Sequence, residues 1–197
     1  MKKIGEFKTL PALLVLMTGL LSPVYASTLV PLGVGELIPL SREVVTGKVL
    51  MTRTEMDSTD RIVTHVTIAV ERYFKSDSPL SAAPPFITVV VHSGTKGALR
   101  TVLVSGPVFE EGQRVVVFLH PDDEGNLQVV GLNQGLFSIA DRSGRQTDVI
   151  GRLGKPDNEW DRMTGGRVRM DYERFNTRLG AMIQLEEFRR FEAEQSR

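Results

Sequence analysis

Val115 to Leu119 is a run of five consecutive apolar residues, the first three of them β-branched. It lies in the stretch from Gly106 to His120, behind a Gly106-Pro107 turn and a Glu110-Glu111-Gly112 turn. A strand with one wet face alternates apolar and polar residues, whereas a continuous run is apolar on both faces. The chain must therefore cover this strand from two sides, at the centre of a sheet or in the wall of a small barrel. The other strands are expected to assemble around it.

Short strands separated by turn signals surround the run. Glu43 to Thr54 is the first, and Gly47 within it predicts a bulge or a close backbone approach. Ile62 to Phe74 alternates over more than ten residues, long enough to bend around a barrel. Phe86 to His92 and Leu99 to Val104 follow, joined by the Gly-bounded turn Ser93 to Gly97. After the central strand come a hairpin loop at Pro121 to Asn126 and further strands at 127–132, 136–140 and 146–150. No helical pattern is interleaved, which excludes a parallel α/β sheet and leaves an antiparallel sandwich or barrel. From Asp171 the period changes: Tyr172, Phe175, Leu179, Met182, Ile183 and Phe188 recur mostly at spacings of three and four. That is an amphipathic helix, capped by Asp171 and reaching about Ala193. It is expected to pack on the barrel, with Phe188 and Phe191 extending past the core.

The N-terminus reads as an export signal. Lys2, Lys3 and Lys8 precede the apolar stretch Leu10 to Leu21, and Val24-Tyr25-Ala26 supplies a cleavage pattern. The expected organisation is a signal peptide over 1–26 and an extended N-terminal arm over 27–42, rich in Pro and Gly. A β-barrel domain over 43–150, an irregular loop over 151–166, and a short strand with the C-terminal helix over 167–197 follow. The expected location is periplasmic or secreted, with membrane contact only through the signal peptide before cleavage. There is no cysteine, which excludes a disulfide scaffold and a thiol enzyme. Lys plus Arg and Asp plus Glu both number 24, so no overall basic bias points to nucleic acid.

Catalytic signatures are missing. His65, His92 and His120 are far apart and lie outside any metal-ligand spacing. Thr46-Gly47-Lys48 and Ser93 to Gly97 resemble phosphate loops only in composition, because neither opens a helix. No nucleophile motif of a serine hydrolase is present. Asp122 to Asn126 lacks the terminal Glu of a calcium loop and reads as a hairpin tip. No cofactor, metal or catalytic residue is assigned. The distinctive residues lie on loops and on the helix tip: Trp160 and Arg162 among acidic neighbours, and Phe188 and Phe191. Trp160 reads either as a recognition anchor or as a seal folded back on the barrel.

Val44 to Val49, the long strand ending Tyr73-Phe74-Lys75, and Gly112 to Leu119 together resemble the netrin-like module, over roughly residues 43–140. The pattern is also similar to a group of exported bacterial proteins closing with Gly131, Gly135 and Phe137. The resemblance implies an OB-like five-stranded barrel with packed helices, as in tissue inhibitors of metalloproteinases, and a bias towards binding. Those inhibitors act through an N-terminal cysteine, which this chain lacks. The expected fold is thus mainly β, a small antiparallel OB-like barrel or sandwich of about six to eight strands with a C-terminal amphipathic helix. The expected function is a non-catalytic exported binding module for an unknown protein or envelope ligand, with no nucleic acid as partner. The alternatives are a hydrolase using Glu110, Glu111 or Asp122 with His120, and an oligosaccharide- or nucleic-acid-binding barrel with Tyr73 and Phe74 as stacking aromatics.

Overall fold

The apolar run becomes strand β6, Arg114–Pro121, and every residue from Val115 to Leu119 has zero exposure. The structure is a computed structural model and describes residues 31–79, 82–142, 146–152 and 167–196. Alternate side chains of β6 feed two different cores. Val115, Val117 and Leu119 join one cluster, and Val116 and Phe118 join the other. Period-2 alternation puts successive residues on opposite faces, so a strand apolar on both faces builds two cores at once.

Both edges of β6 are occupied as well. Strand β1, Glu43–Met56, runs antiparallel along one edge, from Glu43 opposite Leu119 to Lys48 opposite Arg114. The other edge is shared by β7, Leu127–Val129, and β8, Leu136–Arg142. β1 also pairs with β2, Ile62–Lys75, and β2 pairs with β3, Phe86–Val91. β3 meets β7 in parallel through Val89 and Leu127. The hydrogen-bonded order β1-β2-β3-β7-β6 therefore returns to β1 and closes a ring. Beyond β8 the sheet continues through β9, Gln146–Arg152, to β10, Arg167–Asp171. β4, Gly94–Lys96, and β5, Leu99–Thr101, form a separate two-stranded ribbon. The mainly β fold with a C-terminal helix is the expected one, with eight strands in the main sheet.

The cluster holding Val115, Val117 and Leu119 takes its other buried members from β1, β2, β3 and β7, so it fills the ring. The second cluster lies on the outer face of β1, β6, β8 and β9, where two helices cover it. One is α1, Val34–Leu40, and the other is α2, Tyr172–Gln195. A ladder of tilted rings, Phe118 to Phe137 at 5.7 Å and Phe137 to Phe175 at 5.4 Å, joins sheet to α2. Aromatic pairs at such angles gain from edge-to-face contact in addition to burial.

The extended arm over 27–42 is corrected here, because residues 34–40 are helical. The local composition argues against a helix, but distant partners hold one. Val34, Leu37 and Ile38 are buried in the outer core. Glu36 Oε2 accepts from Gly33 N–H at 2.7 Å, and Leu32 N–H donates to Gln134 Oε1 at 2.8 Å. At the other end Ser41 Oγ donates to Leu37 O, and Lys75 Nζ donates to Ile38 O at 2.8 Å and to Ser41 O at 2.6 Å. These bonds satisfy carbonyls that a helix C-terminus leaves open. Two shorter differences follow the same logic. Ser93 to Gly97 is largely strand β4, and the strand expected at Leu99 to Val104 ends at Thr101.

Gly47 carries the expected irregularity. The β1–β2 register shifts between Thr46 and Gly47. A Cβ at this position would meet Ala69 O and come within 2.6 Å of Ile68 Cγ2. The backbone of β1 passes that close to β2 only because no side chain intervenes. Gly47→Ala is expected to lower stability by about 1–3 kcal/mol, measured by urea denaturation, as overpacking of a filled core does. Val117→Asp places a carboxylate inside the ring and is expected to abolish folding. Soluble, protease-resistant Val117→Asp protein would refute the placement of β6.

Candidate functional site

α2 is anchored at its start and free at its end. Asp171 caps it, its carboxylate accepting from Arg174 N–H at 3.2 Å. Tyr172 lies under the Arg114 guanidinium at 5.6 Å, and Arg114 also makes a two-bond fork to Glu71 at 2.7 and 3.0 Å. The fork joins β6 to β2, and the contact of Arg114 with the Tyr172 ring ties the helix start to them. Phe175, Asn176, Leu179 and Ile183 form the buried stripe. None of residues 184–196 is buried. The twelve helical residues beyond Ile183 thus run about 18 Å without a buried side chain.

The unburied part carries a second apolar stripe. Leu185, Phe188 and Phe191 are 50%, 58% and 57% exposed. At 100° per residue, Leu185 and Phe188 fall on the face opposite Ile183, with Phe191 to one side. Glu186, Glu187 and Arg190 stay on the inner face, where their charges act on Lys75. Burial, and then the Arg190 charge, pulls the Lys75 ammonium below its ordinary value, against the opposing pull of the three nearby acids. The periodicity from Tyr172 to Phe188 thus combines two stripes on different faces. Of the four expected partner-binding residues, Phe188 and Phe191 stand exposed on this helix. Trp160 and Arg162 lie outside the described residues.

The groups considered for acid–base chemistry do not converge. Glu111 Oε1 accepts from Thr52 N–H at 2.8 Å and from its hydroxyl at 3.2 Å. His120 Nδ1 is 3.1 Å from the carbonyl of the adjacent Pro121. Asp122 organises its own loop, accepting from Glu124 N–H at 2.9 Å, Asn126 N–H at 2.8 Å and Gln128 Nε2 at 2.8 Å. Slight burial pushes the Asp122 carboxyl up, but the donors from Asn126, Gln128 and Glu124 outweigh it and hold it below the usual carboxylate range. Gln128 Nε2 also lies 3.0 Å from His92 Nε2. His65 meets Glu55 at 3.2 Å across the β1–β2 ribbon. Among the described residues no cluster of three His, Asp or Glu side chains has metal-binding proximity.

Glu43 stands out although nothing in the sequence marks it. Burial, and then the Asp77 charge, pushes its carboxyl up, and no described group bonds its buried Oε2. Burial, and then the Glu43 charge, raises the nearby Tyr73 phenol. A carboxyl with a raised folded-state pKa opposes folding when ionised. Its contribution to stability is complete below the unfolded value of about 4.3 and is lost as pH rises through the folded value. Glu43→Gln copies the protonated form. It is expected to raise the denaturation midpoint at about pH 7 and to leave it unchanged at about pH 3, measured by thermal unfolding at both pH values.

A scan against protein-family models and a search of the curated proteins each return no match to this chain.

Proposed function

We propose that this chain is an exported, non-catalytic binding module that works through protein contacts in the periplasm or outside the cell. The observation that carries the reading is the unburied half of α2. An isolated helix of three turns is marginal in water, and helices in proteins gain most of their stability from packing an apolar face. Here Leu185, Phe188 and Phe191 extend past the last buried turn and meet no core. Large aromatics on a convex, charged-rimmed helix suit insertion into an apolar groove of a partner. The dispersed placement of Glu110, Glu111, Asp122 and His120 supports binding over hydrolysis. The basic n-region, apolar core and cleavage pattern of residues 1–26 support export.

The test places a photo-crosslinking amino acid at position 188 in the expressed protein, with position 177 on the anchored part of the same helix as control. Adducts from 188 that disappear in the Phe188→Ala/Phe191→Ala background are expected, identified by mass spectrometry. Both side chains are exposed, so the double variant should keep its stability to within about 0.5 kcal/mol per site. Failure to crosslink at 188, together with turnover of a substrate panel, would overturn the reading.

A further inference from the structure

The even overall charge conceals a local segregation. Residues 78–109 contain no Asp or Glu, and Lys96 and Arg100 are their only Lys or Arg. This acid-free stretch includes the β4–β5 ribbon and the segment that follows it as far as Phe109. It also presents apolar side chains to solvent: Leu99 at 58%, Val102 at 64%, Val104 at 80% and Val108 at 73%. Interspersed charges normally break up exposed apolar side chains, and a segment where several gather without them marks a contact site.

The segment is held in place. Gly106 N–H donates to Leu103 O at 2.9 Å, which closes a turn with Val104 and Ser105 at its head. Ser105 has φ +59°, a conformation glycine takes at less cost. Asn133 N–H donates to Ser105 O at 3.2 Å, and Pro107 behind the turn is buried. The most exposed valine among the described residues is thus fixed at the head of a strained, anchored turn. Among the described residues neither Lys96 nor Arg100 enters an ion pair, although Lys96 Nζ reaches Thr54 O at 3.5 Å. Beside the ribbon lies a cleft of about 470 Å³, lined in part by His92, Arg100 and Thr101. Asp60 and Arg61 also line it, and Arg61 is ion-paired with Asp57 at 2.8 Å.

We infer that the β4–β5 ribbon and the Val102–Val108 segment dock on an anionic lipid surface. Val102, Val104, Val108 and Leu99 enter the headgroup boundary, and Lys96 and Arg100 meet lipid phosphates. The charge pattern selects this occupant. Unpaired cations flanking exposed aliphatic tips, with no acid in the segment, complement a negative interface. The inference is independent of the helix contact proposed above, because it uses a different element.

The absence of cysteine allows site-specific labelling of the full chain. An environment-sensitive fluorophore is attached at Val104→Cys or, separately, at Phe188→Cys. Each protein is titrated with phosphatidylcholine vesicles and with vesicles containing phosphatidylglycerol. The expected result is a blue shift at position 104 on the phosphatidylglycerol vesicles, with little response on phosphatidylcholine and none at position 188. The label reads the turn itself, so association through residues 1–26 does not mimic it. Lys96→Gln/Arg100→Gln should weaken the vesicle affinity about 30-fold, as loss of two interfacial cations implies, and salt should weaken it as well. A label at 104 that stays in water on anionic vesicles overturns the inference. So does an equal response on phosphatidylcholine, or a shift that appears with protein concentration alone and indicates a second copy.

Discussion

Burial of β6 on both faces and along both edges is the constraint on which the rest of the structure depends. Five residues with no exposure give one strand two cores to organise, one inside the ring and one under the helices. A shift of the strand by one residue would exchange the two sets of side chains and send Phe118 into the ring. β1 must therefore keep its unbroken register with β6 from Glu43 to Lys48, while its register with β2 absorbs the irregularities. The bulge at Gly47 falls on the side that can accommodate it.

Anchoring of the helices follows from the second core. α1 and α2 both close over Val116, Phe118 and Phe137, and each is tied to the ring by a basic side chain. Lys75, from the end of β2, satisfies the open carbonyls of α1. Arg114, from the start of β6, links Glu71 to Tyr172 at the base of α2. Past Ile183 no residue of α2 is buried, although Glu186, Glu187 and Arg190 still act on Lys75.

What was legible in the sequence was what local pattern decides. The unbroken run of β6, the long alternation of β2 and the Gly47 bulge all appear where spacing placed them. α1 was not legible, since Pro39 and the glycines point to an extended arm and its partners are as remote as Gln134. Ring closure was equally hidden, because one bridge between Val89 and Leu127 leaves no composition signal. At the candidate site, the place of Phe188 and Phe191 beyond the core could be read from the length of the helical pattern, whereas the spacing merged Phe188 with the buried stripe. The burial of Glu43 could not, as it depends on what the fold brings near it. The acid-free segment was visible as letters, but its exposure depends on the turn at Ser105.

The parallel bridge between β3 and β7 is also the narrowest joint of the ring. It joins residues thirty-eight positions apart and has no hairpin of its own to guide it. A single bridge without a ladder of neighbouring bonds has the least to hold it, so this joint opens before the others. The ring thus behaves as a clasp, with four firmly laced joints and one thin seam.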